Sequence, residues 1–219
     1  MSWVLQAIEK YAAELQAIGA EPPPAPRWDQ DWFPRLDAAA AYAIVRETRP
    51  QRIVEVGSGH STRFMARAVM DGSLPTRITS IDPLPRATID RLDIEILGIR
   101  VQQAEPRIFS DLESTDILFI DSSHQVKPGS DVEFLLEEVI PALSAGVRVH
   151  FHDIFLPDDY PAQWAWRRYN EQEAVARLLA DGFAEEFSSH RAAGSIAGVL
   201  ARLPLRPGAI ESSLWLRKS

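Results

Sequence analysis

Apolar residues recur along the first segment at Val4, Ile8, Tyr11, Leu15 and Ile18, in steps of four and three that place them on one face of a helix. "EPPPAPRW" then ends that helix, because proline removes backbone donors and restricts the residue before it. A second helix is predicted over 37–48, with Asp37 as N-cap of the alanine-rich run and Pro50 just beyond its end. From residue 52 the pattern changes to short β-branched runs alternating with longer helical stretches, the mark of a parallel sheet covered by helices. The predicted strands are 52–56, 77–82, about 99–103, 116–121 and 147–152, with helices starting near Thr62, Ala87, Pro106 and Asp131. A long helix is expected from Ala162 to Ala180. "GFAEEFSS" and "SSLWLRKS" are expected to form an antiparallel pair at one edge of the sheet.

Composition narrows the function class. A chain of 219 residues with 46% hydrophobic content can bury a substantial core and is short for two full domains. The division expected is a helical extension with a Pro-rich linker over 1–34, followed by a single domain over 35–219. A net charge of -8 argues against nucleic acid, which needs clustered Lys and Arg. The lack of cysteine removes disulfides, thiolate metal sites and a cysteine nucleophile together. No apolar run approaches the roughly 20 residues of a membrane span, and Glu9, Lys10 and Glu14 interrupt any signal-peptide core. A cytoplasmic protein with no membrane partner is expected.

"RIVEVGSGHSTRF" (52–64) carries the first candidate chemistry. Strand, glycine turn and helix together build a nucleotide-type site beyond the carboxyl end of a strand. Gly57 permits the tight turn, Ser58 lies within it, and Gly59 lets ligand atoms approach the backbone. Thr62 stands where a dinucleotide fingerprint needs its third small residue, which disfavours NAD, and no Gly-Lys-Ser/Thr follows to make a P-loop. Glu55 would repel a pyrophosphate and attract a cationic ligand, or else is only a solvated or capped carboxylate at a strand end. "ITSIDP" ends a second strand at Asp82, whose carboxylate is placed to accept both hydroxyls of a ribose, or else serves only as a turn residue.

With these residues the chain resembles the class I S-adenosylmethionine-dependent methyltransferases. "VEVGSG" looks like their first motif, "SIDP" like their ribose-binding strand end, and "DILFIDSSH" like their fourth strand. "GSGHST" with "IDSSH" and "HD" is similar to the bacterial branch of cephalosporin-hydroxylase-like and macrolide-sugar O-methyltransferases. The resemblance implies a Rossmann-like three-layer α/β sandwich with a seven-stranded, mostly parallel sheet of order 3-2-1-4-5-7-6 and an antiparallel C-terminal hairpin. It implies S-adenosylmethionine as cofactor, with Gly57 and Gly59 along its methionine part, Asp82 at the ribose and residues from Gln103 to Glu105 near the adenine. It also implies Mg²⁺ or Mn²⁺ as a candidate assistant, with Asp121 and Asp153 matching ligand positions. His152 stands where a carboxylate is usual, and a hard cation prefers oxygen.

Chemistry is expected where the fourth and fifth strands end, in "FIDSSH" and "HFHDIF". Asp121, His124, His152 and Asp153 should converge there, Asp121 touching both cofactor and acceptor. His124 is the first choice for general base without a metal. His150 reads as a packing residue, His60 as a ligand of the glycine turn's own backbone, and His190 has no supporting motif. Tyr160, Trp164, Trp166 and Arg167 either wall an aromatic or sugar acceptor or fill core. The function expected is O-methylation of a small molecule, with a homodimer left open. The rivals are an S-adenosylmethionine-binding protein without activity and a metal-dependent hydroxylase-like or NAD-dependent oxidoreductase on the same sheet.

Overall fold

In the computed structural model, which describes residues 2–219, the sheet order is β3-β2-β1-β4-β5-β7-β6. The strands are β1 (Arg52–Val56), β2 (Arg77–Ile81), β3 (Glu95–Leu97), β4 (Ile117–Ile120), β5 (Arg148–Phe151), β6 (Phe183–Ser188) and β7 (Leu214–Lys218). β1 pairs in parallel with β2 and β4, β2 with β3, and β4 with β5, while β7 runs antiparallel between β5 and β6. The expected topology and C-terminal hairpin are both present.

The two-residue period of the central strands sorts their side chains onto two cores. Ile53, Ile117, Phe119 and Trp215 face one cluster, which includes α1 (Trp3–Lys10), α2 (Ala12–Ala17), α3 (Arg35–Thr48) and α4 (His60–Asp71). Val54, Val56, Leu118, Ile120 and Val149 face the other, closed by Leu135, Val139 and Val175. Val4, Ile8, Tyr11, Leu15 and Ile18 are all buried in the first cluster, so the N-terminal helices pack into the same core as the sheet. Among the described residues no helix is long and apolar enough to cross a membrane.

Four expectations need correction. The third strand lies at Glu95–Leu97, and residues 101–103 form a 3-10 turn. No helix follows Ala87: residues 86–94 run as turns and bends up to β3. The long helix expected from Ala162 is broken: a 3-10 segment, Ala162–Arg167, ends at Arg168 in the left-handed conformation (φ 57°), and the α-helix runs Glu171–Ala180. Finally, α3 starts at Arg35, which places Asp37 inside the helix and not at its cap.

Candidate active site

The glycine turn is built around Glu55. This carboxylate is fully buried and accepts the hydroxyls of Ser61 and Thr62, each at 2.6 Å, while Thr62 Oγ1 accepts the Gly59 amide at 2.9 Å. It therefore secures the first turn of α4 and faces the core. The expectation that Glu55 meets the ligand is corrected, since it does not reach the cavity wall. Burial pushes its carboxyl up to about 7, and the nearby charge of Asp121 adds to the rise. Gly57 has φ +90°, and a Cβ there would collide with the backbone oxygen of Asp121, so only glycine lets β1 and β4 end this close together.

A cavity of about 1010 Å³ opens beyond the carboxyl ends of these strands. That is at the upper end of the roughly 300–1,000 Å³ of ligand pockets, enough for a nucleoside cofactor together with a second molecule. Gly57, Ser58, Gly59 and Asp82 line it, as expected. Asp82 is oriented by its own turn: Oδ2 accepts the Ser58 hydroxyl at 2.7 Å and Oδ1 the Leu84 amide at 2.8 Å. Gln103 is turned away and accepts the Arg100 amide at 3.1 Å; its place on the wall is taken by Arg100, Val101 and Gln102. His60 and Ser122 also line the cavity, and His60 Nδ1 and Ser122 Oγ are buried without a hydrogen-bond partner. His60 thus does not bond within the glycine turn. Its burial, with the charges of Arg63 and Arg27, lowers its imidazole to about 4, so it is neutral at physiological pH.

Asp121, His124, His152 and Asp153 do converge. His124 Nε2 lies 3.3 Å from Asp121 Oδ1 and 3.7 Å from Asp153 Oδ2. His152 Nδ1 lies 3.6 Å from Asp121 Oδ1 and 3.4 Å from Asp153 Oδ1. Each ring is held from behind by a buried carboxylate: His124 Nδ1 is 2.9 Å from Glu171 Oε2, and His152 Nε2 is 3.3 Å from Asp37 Oδ2. Asp37 also accepts the amides of Ser212 and Ser213, at 3.1 and 2.9 Å. His124 (φ 58°) and Asp153 (φ 56°) both sit in left-handed backbone, a local strain of about 1–3 kcal/mol each that concentrates at functional sites.

Burial alone would discharge both rings, but hydrogen bonds to Asp121 and Glu171 hold the His124 imidazole well above its ordinary range. The charges of Asp153 and Asp121 do the same for His152. Asp121 is penalised by burial, yet the charge of His152 and hydrogen bonds from both rings keep it well below the usual carboxylate range. At neutral pH the cluster is thus two imidazolium rings among carboxylates. This corrects the assignment of His124 as a free base titrating near neutrality.

The same charges bear on the Asp121, His152 and Asp153 metal set. A hard cation needs oxygen donors turned toward one point, whereas these carboxylates turn toward protonated rings. Among the described residues no group of three or more His, Asp or Glu side chains is arranged to hold a metal ion. The residues present do not fit Mg²⁺ or Mn²⁺.

The remaining histidines are settled by their partners. His150 is fully buried, stacks on Phe119 and lies 2.9 Å from Ser213 Oγ, the packing role expected of it. His190 sits 2.8 Å from Asp158. Trp164 and Arg167 line the cavity with Trp32, Phe33 and Tyr169, whereas Tyr160 packs behind them on Phe155 and Trp166 is largely exposed. Asp37 and Glu171 were invisible as site residues in the sequence, because each reaches its histidine across a large separation, 115 and 47 residues, with no local motif.

Residues 54–154 match the family model described as "Methyltransferase domain". Over that span the chain carries a methyltransferase domain. No curated protein matches it at a significant level. Solved structures do: the S-adenosylhomocysteine-bound methyltransferase of Podospora anserina is 17% identical, with a TM-score of 0.54 over 97% of this chain and 88% of that one. An O-methyltransferase of Bacillus cereus in complex with S-adenosylhomocysteine is 14% identical, with a TM-score of 0.52 over 100% of this chain and 92% of that one. A branched-chain polyamine synthase mutein of Thermus thermophilus, in complex with N4-aminopropylspermidine and 5′-methylthioadenosine, is 15% identical, with a TM-score of 0.51 over 97% of this chain and 63% of that one. At these identities the likeness concerns the fold, and one fold serves several chemistries.

Proposed function

We propose that this methyltransferase transfers a methyl group from S-adenosylmethionine to a hydroxyl oxygen of a small molecule. The observation that carries the reading is the placement of Asp121: it ends β4 against Gly57, lines the cavity, and is the most exposed member of the buried His–carboxylate cluster, with 33% of its side chain accessible. The cavity fits the cofactor on three counts. Gly57 lines the cavity where β1 and β4 end side by side, the carboxylate of Asp82 is preset to receive ribose hydroxyls, and the free His60 Nδ1 and Ser122 Oγ offer polar contacts to the amino-acid end. Val101 and Gln102 wall the adenine side.

Bound S-adenosylmethionine supplies an electrophilic methyl carbon on a sulfonium. Asp121 accepts the hydrogen bond of the acceptor hydroxyl and so aims an oxygen lone pair toward the methyl donor. Asp121 would take the hydroxyl proton as the methyl group passes from sulfur to oxygen, because both imidazole rings already carry their protons. The charged rings of His124 and His152 stabilise the negative charge that grows on the oxygen. Glu171 and Asp37 hold those rings in place and act as positioning residues.

The test separates the roles. Asp82→Ala should weaken S-adenosylhomocysteine binding at least tenfold by calorimetric titration, whereas Asp121→Asn should keep that affinity and lose methyl transfer. Equal loss of cofactor affinity in the two variants would overturn the assignment, and absence of S-adenosylhomocysteine binding to the wild type would overturn the function itself.

A further inference from the structure

Beside the His–carboxylate cluster stands one guanidinium, that of Arg167, fixed by its neighbours. Its carbon lies 3.9 Å from the ring centre of Trp164 and 5.5 Å from those of Trp166 and Tyr169. Stacking on ring faces holds the plane of the guanidinium without consuming its in-plane donors. Those donors are sparsely used. Nη1 donates to the Tyr169 hydroxyl at 3.3 Å and approaches Asp153 Oδ2 only to 3.6 Å, beyond hydrogen-bond length. Nε is buried with no partner at all. Asp153 does not saturate the group, since its carboxylate also takes the Ser212 hydroxyl at 3.1 Å and faces His152 at 3.4 Å.

The position of this cation relates it to the reaction. Asp153 Oδ2, the oxygen nearest Arg167, is also 3.7 Å from His124 Nε2. Arg167 and the ring beside the reacting hydroxyl therefore flank a single carboxylate oxygen, and both line the same cavity. Of the cavity cations Arg86, Arg100, Lys127 and Arg167, Arg167 alone among the described residues lies within 4 Å of a carboxylate of that cluster.

Resting on the methyltransferase reading above, we infer that the methyl acceptor is a hydroxy acid, whose carboxylate is taken by Arg167 while its hydroxyl lies against Asp121. An arginine fork matches the two oxygens of a carboxylate, and its stacked geometry fixes the plane in which the acid binds. Because Arg167 Nη1 and His124 Nε2 lie 3.6 and 3.7 Å from one carboxylate oxygen, an acid whose two functional groups are close neighbours on the carbon frame, such as an ortho-hydroxybenzoate or a 2-hydroxyalkanoate, suits the pair best. Trp164 and Phe33 supply apolar walls for the frame between them.

The experiment titrates S-adenosylhomocysteine-loaded protein with ortho-hydroxybenzoate and 2-hydroxyalkanoates, each paired with its neutral amide, and with para-hydroxybenzoate as a spacing control. The acids should bind at least tenfold tighter than their amides and than the para isomer. Arg167→Gln should abolish that preference, and Arg167→Lys should restore part of it, which separates loss of the charge from loss of the fold. Equal binding of acid and amide, absence of acid binding, or a preference that survives Arg167→Gln overturns the inference. Because cofactor loading is measured first, any of these results leaves the methyltransferase reading standing, and only failure to bind S-adenosylhomocysteine removes it.

Discussion

Replacing Glu55 by Gln should make the protein more stable at alkaline pH while leaving its cofactor affinity intact. The side chain is fully buried, and its carboxyl is pushed from an ordinary 4.5 to about 7. At about 1.4 kcal/mol per tenfold change in proton affinity, that displacement corresponds to roughly 3 kcal/mol. The sign follows from which state holds the proton more tightly. The folded protein does, so the stability contributed by protonation is full below pH 4.5 and is lost as pH rises through 7. An amide in the same place has no proton to lose, and Ser61 and Thr62 can still hydrogen-bond to it. Urea denaturation followed by tryptophan fluorescence should show Glu55→Gln near wild type at about pH 5 and more stable by up to about 3 kcal/mol at about pH 8.5. A stability difference that stays constant between these conditions would refute the argument. So would a fall in S-adenosylhomocysteine affinity comparable to that of Asp82→Ala, because Glu55 would then be a ligand residue after all.

Two further outcomes follow from the same geometry. Glu171→Gln removes the charge behind His124 and should cost about 2 kcal/mol. Since His124 holds its proton well above the ordinary 6.5, the stabilisation is full below that pH and is lost as pH rises through the raised value, so the penalty should be larger at about pH 6 than at about pH 9. A penalty that grows with pH, measured by denaturation at both values, would contradict the pairing. Gly57→Ala places a methyl group against the Asp121 backbone at φ +90° and should lower Tm and abolish S-adenosylhomocysteine binding together; a retained Tm with retained binding would show that the turn can relax.

What the sequence disclosed depends on range. β1, β2, β4 and β5 are central or near-central strands covered on both sides, so their apolar runs are dense and legible. β3 is a three-residue edge strand with little burial, and the run "IEILGIRV" offers more than one segment of equal apolar weight. The break at Arg168 left no mark either, because the residue before Tyr169 is neither Gly nor Pro and takes its left-handed turn from tertiary context. In the site, Gly57, Asp82 and the Asp121–His124 and His152–Asp153 pairs were legible from their places at strand ends. Glu55 serves the first turn of α4 and not a ligand, since alternation fixes the face of a strand residue but not which helix lies against it. Asp37, Glu171 and Ser212 arrive from elsewhere in the chain, and no spacing rule connects them to the histidines they serve.

Asp37 bonds His152, just beyond β5, and the two residues before β7 at once, from a helix that precedes the glycine turn. The span matched by the family model, 54–154, contains the chemistry but neither Asp37, Glu171 nor Ser212. A fragment cut to that span would keep every recognisable motif and leave both rings free to rotate. Turnover is for that reason a faithful reporter of whole-chain folding: detaching the helices that precede β1 or the closing hairpin should silence the enzyme before the central strands melt.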